Sequence, residues 1–463
     1  MKNWSRGAKV LALTAIGVML VSLDISIVNV AFGSFVKQWP ESRRTLTWIF
    51  SAYNIAYAAG LLTAGRLADA FGRKRAFLSG LMIFMLGSIL CALAPSAIFM
   101  VGARIIQAIG GAILTPASLA LVLPEFPVEK RSAAIGIWGA VGGISAASGP
   151  TIGGFLVDNF GWHSVFLVNA PFCLLAFFVG TKLLRESRDE TAPKTVDYFG
   201  ALLVVFGVGL LTLMIVQSDE WGWVSTRSLL LLASSLVLLG AFVWRCNRVA
   251  HPVLDLRLFK LPFVTAAAIS GFVFTMGFFS MIFVNTQWLQ VVWGYSPSLS
   301  GLAGSPGPLA AAFVAAPAGK LANRIGHGKV VFAGALVMTI GIAWLNFKIQ
   351  PEIHYWDFYF PTMVFTGIGV GLCISTISSS ATAFLPQPKF AMGSALNNTS
   401  RQVGAALGVA LVSSMLVSAA KTSDPNSGFH HAWSLMSAVI LISGLVMLAL
   451  FRKPTAEQLA DAT

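Results

Sequence analysis

The chain of 463 residues is 56% hydrophobic and only 11% charged, with a mean hydropathy of +0.78 and a formal net charge of +13. Soluble domains carry roughly 25% charged residues, so most soluble folds are excluded. The excess cation is scattered through short loops rather than gathered on one solvated face, which argues against nucleic acid as a partner. Apolar stretches of about twenty residues, each long enough to span hydrocarbon as a helix, recur from end to end. Lys2, Arg6 and Lys9 precede the first, at residues 10–36; it is too long for a signal-peptide core and reads as a retained helix. Spans at 46–65, 76–95, 98–122, 132–156 and 164–184 complete a first block. Two more fall at 197–217 and 228–245, and a second block follows at 262–285, 300–318, 330–348, 358–381, 393–419 and 433–451. Gly and Pro inside these stretches do not veto helices, because neighbouring helices satisfy freed backbone groups in membranes.

The expected fold is an all-α polytopic membrane protein with fourteen transmembrane helices arranged 6 + 2 + 6. Residues 1–185 would form an N-terminal six-helix bundle, 186–260 a two-helix insertion, and 261–463 a C-terminal six-helix bundle with a short cytoplasmic tail. Lys and Arg concentrate in alternate loops, among them Arg73, Lys74, Arg75, Lys130, Arg131, Lys182 and Arg185, which places both termini in the cytoplasm. Residues 65–75 (GRLADAFGRKR) recur, degraded, at 319–329 (GKLANRIGHGK), each copy following the second span of its block. Parallel repeats of this kind build transporters with a central cavity.

Asp24 is the one carboxylate placed well inside a span. A charged Asp at a helix centre costs about 2.5–3.5 kcal/mol on insertion scales, so a proton-exchanging role competes with permanent structural pairing. Arg104 is the matching intramembrane cation; with Gln107, Gly111, Thr115 and Ser118 it falls within roughly 80° of helical arc, a polar stripe that faces a cavity or glues helices together. Tyr53, Asn54 and Tyr57 offer aromatic and polar surface to such a cavity, or simply pack. Gly149, Pro150 and Gly153 lie in a small-residue span with a bend expected at Pro150, serving close helix contact or a rocking interface. His327, His430 and His431 are expected in solvated loops, and Cys91, Cys173, Cys246 and Cys373 are isolated. No GxxxxGK[ST] sequence and no clustered nucleophile, acid and metal ligand occur, so neither a built-in ATPase nor an enzyme is read, and no cofactor or metal is expected.

Several motifs, in order, resemble those of the fourteen-span drug:proton antiporters of the major facilitator superfamily. Residues 65–75 are similar to the superfamily's signature loop, 23–31 (LDISIVNVA) to the family's first-span motif, 104–111 (RIIQAIGG) to its fourth-span motif, and 148–154 (SGPTIGG) to its antiporter motif. Trp288 to Gln290, Gly294 to Pro297, and Arg401 to Gly404 fit the second half, while Ser26, Phe32, Gly33, Ala108 and Ser145 depart from the usual residues. The resemblance implies a major facilitator fold and export of small amphipathic or hydrophobic compounds in exchange for protons by alternating access. It implies proton coupling at Asp24 and Arg104, and a substrate cavity that takes in Asn29, Tyr53, Asn54, Tyr57, Gln107 and Thr115. It also implies gating at Gly65, Asp69, Gly72, Arg73, Gly149, Pro150, Gly153 and Arg401, with Asp69 and Arg73 in a charge network that closes the cytoplasmic side. The partners would be a small-molecule substrate, protons and lipids, in the inner (plasma) membrane, with a monomer as the expected state. A proton-driven importer, a nutrient facilitator, or a membrane sensor without transport are the competing readings.

Overall fold

The computed structural model describes residues 4–40, 43–187, 197–249, 252–254, 256–385, 390–419, 424 and 426–455. Among these there is no strand. The helices are α1 (Arg6–Gln38), α2 (Arg43–Phe71), α3 (Arg73–Ala92), α4 (Ala97–Val122), α5 (Val128–Phe160), α6 (Ser164–Leu167), α7 (Asn169–Leu183), α8 (Tyr198–Trp221) and α9 (Thr226–Arg248), followed by α10 (Pro262–Gln287), α11 (Pro297–Gly304), α12 (Pro306–Ile325), α13 (His327–Lys348), α14 (Phe360–Ser380), α15 (Phe390–Ala419) and α16 (Ser427–Leu450). Serines start three of them: Ser5, Ser96 and Ser225 accept from Ala8 N, Phe99 N and Ser228 N at 3.2–3.3 Å, each satisfying one orphan donor of a first turn.

Eleven described helices are long and apolar enough to cross a membrane, or thirteen when each of two bent pairs counts as one span. The bent pairs are 137–146 with 148–160, at 42°, and 297–315 with 317–325, at 50°. Pro150 and Pro317 sit just beyond the breaks, where each removes a backbone donor and crowds the preceding turn. The helix α2, which has 29 residues and matches the span expected at 46–65, is not among the thirteen; many of its side chains lie outside the described residues. The span expected at 164–184 is interrupted at Val168, between α6 and α7. His327 and His430, expected in loops, lie instead in the first turns of α13 and α16, and His430 Nδ1 is 2.8 Å from Asn346 Oδ1.

The chain divides into two compact units. The first comprises residues 1–201 and 296–301; its main packing is α3 on α4, α1 on α5 and α2 on α4, around a core that includes Leu20, Tyr53, Phe77, Phe84 and Leu114. The second comprises residues 202–295 and 302–463, in which α10 packs on α15 and α16, and α13 and α12 on α14. The α8–α9 pair belongs largely to this unit and is tied by Ser235 Oγ donating to Gly207 O at 2.7 Å.

Polar and apolar residues are distributed inside out. Asp24, Arg104, Gln107 and Asn169 are buried, while Leu86, Ile98, Ile109, Phe178, Leu236 and Phe313 are exposed. In water so large an apolar surface would drive association; in a bilayer it meets lipid.

Candidate functional site

The first unit encloses a charged centre. Asp24 on α1 and Arg104 on α4 are 0% and 1% exposed, and Arg104 NH1 donates to Asp24 Oδ2. One turn along α4, Gln107 Nε2 donates to Asp24 Oδ1 at 2.7 Å and lies 2.6 Å from Ser88 Oγ on α3. Asn169, first residue of α7, donates from Nδ2 to Ser88 Oγ at 2.9 Å and to Asp24 Oδ1 at 3.3 Å. Arg104 NH1 also donates to Gln107 Oε1 at 2.7 Å, which fixes that amide: its oxygen faces the guanidinium, so its NH2 must face Asp24 and Ser88. Arg104 Nε donates to Ile49 O at 3.2 Å, and its guanidinium carbon lies 3.9 Å from the Tyr53 ring centroid and 5.9 Å from that of Phe166.

These contacts replace the hydration that two buried ions lose. A buried pair breaks even only when further hydrogen bonds occupy the remaining lone pairs and protons, and here an amide, a second amide, a carbonyl and an aromatic face do so. The helices that supply them come close for an identifiable reason. A Cβ on Gly87 would meet the Gln107 backbone at 2.5 Å, so only glycine lets α3 approach α4 there, and that approach brings the adjacent Ser88 to Gln107. The break at Val168 likewise puts Asn169 at the start of a new helix.

The Major Facilitator Superfamily model matches residues 14–245 and 267–462. The chain belongs to the major facilitator superfamily. It is therefore a transporter and not an enzyme. Among its relatives are the multidrug resistance protein Stp of Mycobacterium tuberculosis (strain CDC 1551 / Oshkosh), 35% identical over 405 residues, covering 87% of this chain and 74% of the relative. The tetracenomycin C resistance and export protein of Streptomyces glaucescens is 32% identical over 407 residues, covering 87% and 75%. The methylenomycin A resistance protein of Bacillus subtilis (strain 168) is 30% identical over 449 residues, covering 96% and 94%. Multidrug efflux members of the superfamily are thus its kin.

The other motif residues of this transporter lie on α1, α2, α4 and α5, at the signature loop and on α15. Along the polar stripe of α4, Thr115 Oγ1 lies 2.8 Å from Tyr57 OH and donates to Gly111 O at 3.1 Å, and Ser118 Oγ accepts from Trp138 Nε1 at 3.0 Å. Asn29 donates within its own helix, to Ile25 O at 3.1 Å. Among the described residues, the buried Tyr53 OH and Asn54 Oδ1 have no hydrogen-bond partner. On α5, Gly149 and Gly153 pack against Ser26 and Ile27 of α1, close enough that a Cβ would collide, and Pro150 lies between them.

At the signature loop, Gly72 joins α2 to α3 with φ +120°, and Arg73 N donates to Ser187 O at 3.0 Å. The carboxylate facing this loop is Glu186, which accepts from Lys74 N at 3.0 Å and Arg75 N at 3.3 Å and lies 3.7 Å from Arg75 Nε. Gly65 and Asp69 are on α2, and the Asp69 side chain lies outside the described residues. In the second unit, Arg401 donates to Ser378 Oγ at 3.1 Å. Among the described residues no group of three His, Cys, Asp or Glu is placed to hold a metal, and all four cysteines are buried.

Sequence reasoning pairs Asp24 with Arg104 and puts Gln107 on the same stripe of α4, but misses Ser88 and Asn169. Their signal is weak because Ser and Asn are common in membrane helices as packing residues. Asn169 falls inside the span expected at 164–184, where nothing marks the break at Val168.

Proposed function

We propose that this transporter exports small amphipathic or hydrophobic compounds in exchange for protons, by alternating access, through fourteen spans in the inner (plasma) membrane with both termini cytoplasmic. Its kinship to a multidrug resistance protein and to a tetracenomycin C resistance and export protein supports the direction and the substrate class. The observation that carries the coupling is the burial of Asp24 against Arg104 at the centre of a satisfied network. Proton and solute must exclude one another at a shared element, or the gradient would dissipate without driving export. Asp24 serves because its ionised form binds Arg104, whereas its protonated form is neutral and releases that attraction.

The cavity would take in Tyr53, Asn54, Tyr57, Thr115, Gln107 and Asn29, where unpartnered polar atoms of Tyr53 and Asn54 offer hydrogen bonds to a ligand. Gating falls to Gly65, Asp69, Gly72 and Arg73 at the signature loop, to Gly149, Pro150 and Gly153 on α5, and to Arg401 on α15. The test is uphill solute movement in sealed vesicles under an imposed proton gradient. Asp24→Asn keeps shape and polarity but cannot titrate; it should insert, retain downhill exchange and lose accumulation. Accumulation by the Asn variant that a protonophore still collapses would remove Asp24 from the coupling role.

A further inference from the structure

Three side chains, Gln107, Ser88 and Asn169, close a ring with one oxygen of Asp24. Gln107 Nε2 places its hydrogens on Asp24 Oδ1 and Ser88 Oγ, and Asn169 Nδ2 places its hydrogens on the same two atoms. Both hydrogens of both amides are therefore used. Both in-plane lone pairs of Oδ1 are used as well, since a carboxylate oxygen accepts two such bonds. The other oxygen, Oδ2, is the one that Arg104 NH1 holds. The two oxygens of one buried carboxylate thus have different neighbours: two neutral amides on one, a cation on the other.

We propose that Asn169 and Ser88 are positioning residues that reserve Oδ1, so that the proton exchanged at Asp24 is taken at Oδ2. This rests on the reading of Asp24 as the coupling group. A proton placed on Oδ1 would point at amide N–H groups, which repel it and offer no acceptor. On Oδ2 the new O–H bond forms on the atom whose negative charge the guanidinium binds, so the ion pair weakens at the moment of protonation. No bond to carbon changes and no electron moves; the proton comes from water, Arg104 keeps all of its own protons, and the site passes from net neutral to a single positive charge.

The amides cannot supply this selectivity unanchored. Ser88 Oγ, accepting from both, ties the two NH2 groups together beside Oδ1, and Arg104 NH1 on Gln107 Oε1 prevents that amide from turning over. The titratable and charged groups around Asp24 are Arg104 on α4, Tyr53 on α2, Cys91 on α3 and Cys173 on α7. None of them touches Oδ1. Asn169 is thus assigned a share in proton delivery although it carries no charge and takes no proton.

The experiment is infrared difference spectroscopy of the full-length protein in lipid, acid minus neutral. The Asp24 carboxylic C=O band is identified by its loss in Asp24→Asn. If protonation occurs at Oδ2, the carbonyl oxygen is Oδ1, which accepts two N–H bonds that lower its stretching frequency. Asn169→Ala removes one of them, and the band should shift to higher wavenumber, while Asn169→Gln, which keeps an amide donor, should hold it nearer the parent position. Should Asn169→Ala fail to reach the membrane, Ser88→Ala, which frees the two amides, should broaden the band and shift it in the same direction. An Asp24 band unmoved by these variants overturns the proposal and leaves the ring as packing. Absence of any Asp24 band at acid pH, in a protein that still transports, overturns the coupling reading itself and the proposal with it.

Discussion

Arg104 shows what a single residue supplies here that its nearest relative cannot. Its guanidinium reaches Asp24 and Gln107 through NH1 and Ile49 O through Nε while lying flat under the Tyr53 ring. Lysine carries the same charge on one nitrogen without the planar fork. Arg104→Lys should therefore keep the ion pair but lose the bond to Gln107 Oε1 or to Ile49 O, at about 1.5–3 kcal/mol for each hydrogen bond to a charged group. Because Gln107 Oε1 keeps Cys91 Sγ and Ile49 O keeps its helical bond, the loss is that of charge-assisted bonds rather than of orphaned acceptors. The expected outcome is a lower unfolding temperature in detergent together with loss of uphill transport; a Lys variant with parental values for both would show that charge alone suffices. At this scale the sequence is legible where burial is expensive. Asp24 and Arg104 identify themselves because an intramembrane charge is costly, and their helical neighbour Gln107 follows from the 3.6-residue period. Ser88 and Asn169 stay hidden because one polar uncharged residue in an apolar run costs too little to demand an explanation, and because the partners lie 81 residues apart in sequence.

At the scale of helices, the two copies of the signature loop make the same turn. Gly72 between α2 and α3 has φ +120°, and Gly326 between α12 and α13 has φ +97°, both in the region that favours glycine. The repeat in the sequence thus marks a repeated helix–glycine–helix junction, legible because a left-handed backbone leaves few substitutes for Gly. What surrounds the junctions differs and was not legible. A Cβ at Gly326 would meet nothing within 4 Å, whereas one at Gly72 would meet the Glu186 carboxylate at 2.6 Å. Glu186 lies just beyond the end of α7, more than a hundred residues from the loop in sequence, so no local pattern announces it. The pair separates two costs. Gly326→Ala should lose only the backbone term, about 1–3 kcal/mol for a residue held in a sparsely populated region. Gly72→Ala should lose that and also expel Glu186 from Lys74 N and Arg75 N, giving the larger fall in thermal stability in detergent. Equal falls would mean that the Glu186 contact contributes nothing to holding α3.

For the whole molecule, the sequence predicts the all-helical class and the position of most helices to within several residues, because hydrocarbon thickness sets span length and the backbone must bond internally. The span count turns on α2, which the sequence places as a span at 46–65 and which carries Thr47, Ser51, Tyr53 and Asn54 buried inside the first unit. The consequence is topological. If α2 crosses, Gln38 at the end of α1 and Arg75 at the start of α3 lie on opposite sides of the membrane; if it does not, they lie on the same side and the charge alternation of every later loop is inverted. All four native cysteines are buried, so single introduced cysteines should report with little background. Gln38 and Arg75 are both exposed. In right-side-out vesicles an impermeant maleimide should label Gln38→Cys and leave Arg75→Cys unlabelled until the membrane is permeabilised. A cysteine placed at Thr463 should behave like Arg75→Cys, and one in the Gly222–Ser225 turn between α8 and α9 like Gln38→Cys. Labelling of Gln38→Cys and Arg75→Cys from the same side would remove α2 from the spans, place the termini on opposite sides, and take the signature loop, with its proposed gate, off the cytoplasmic face.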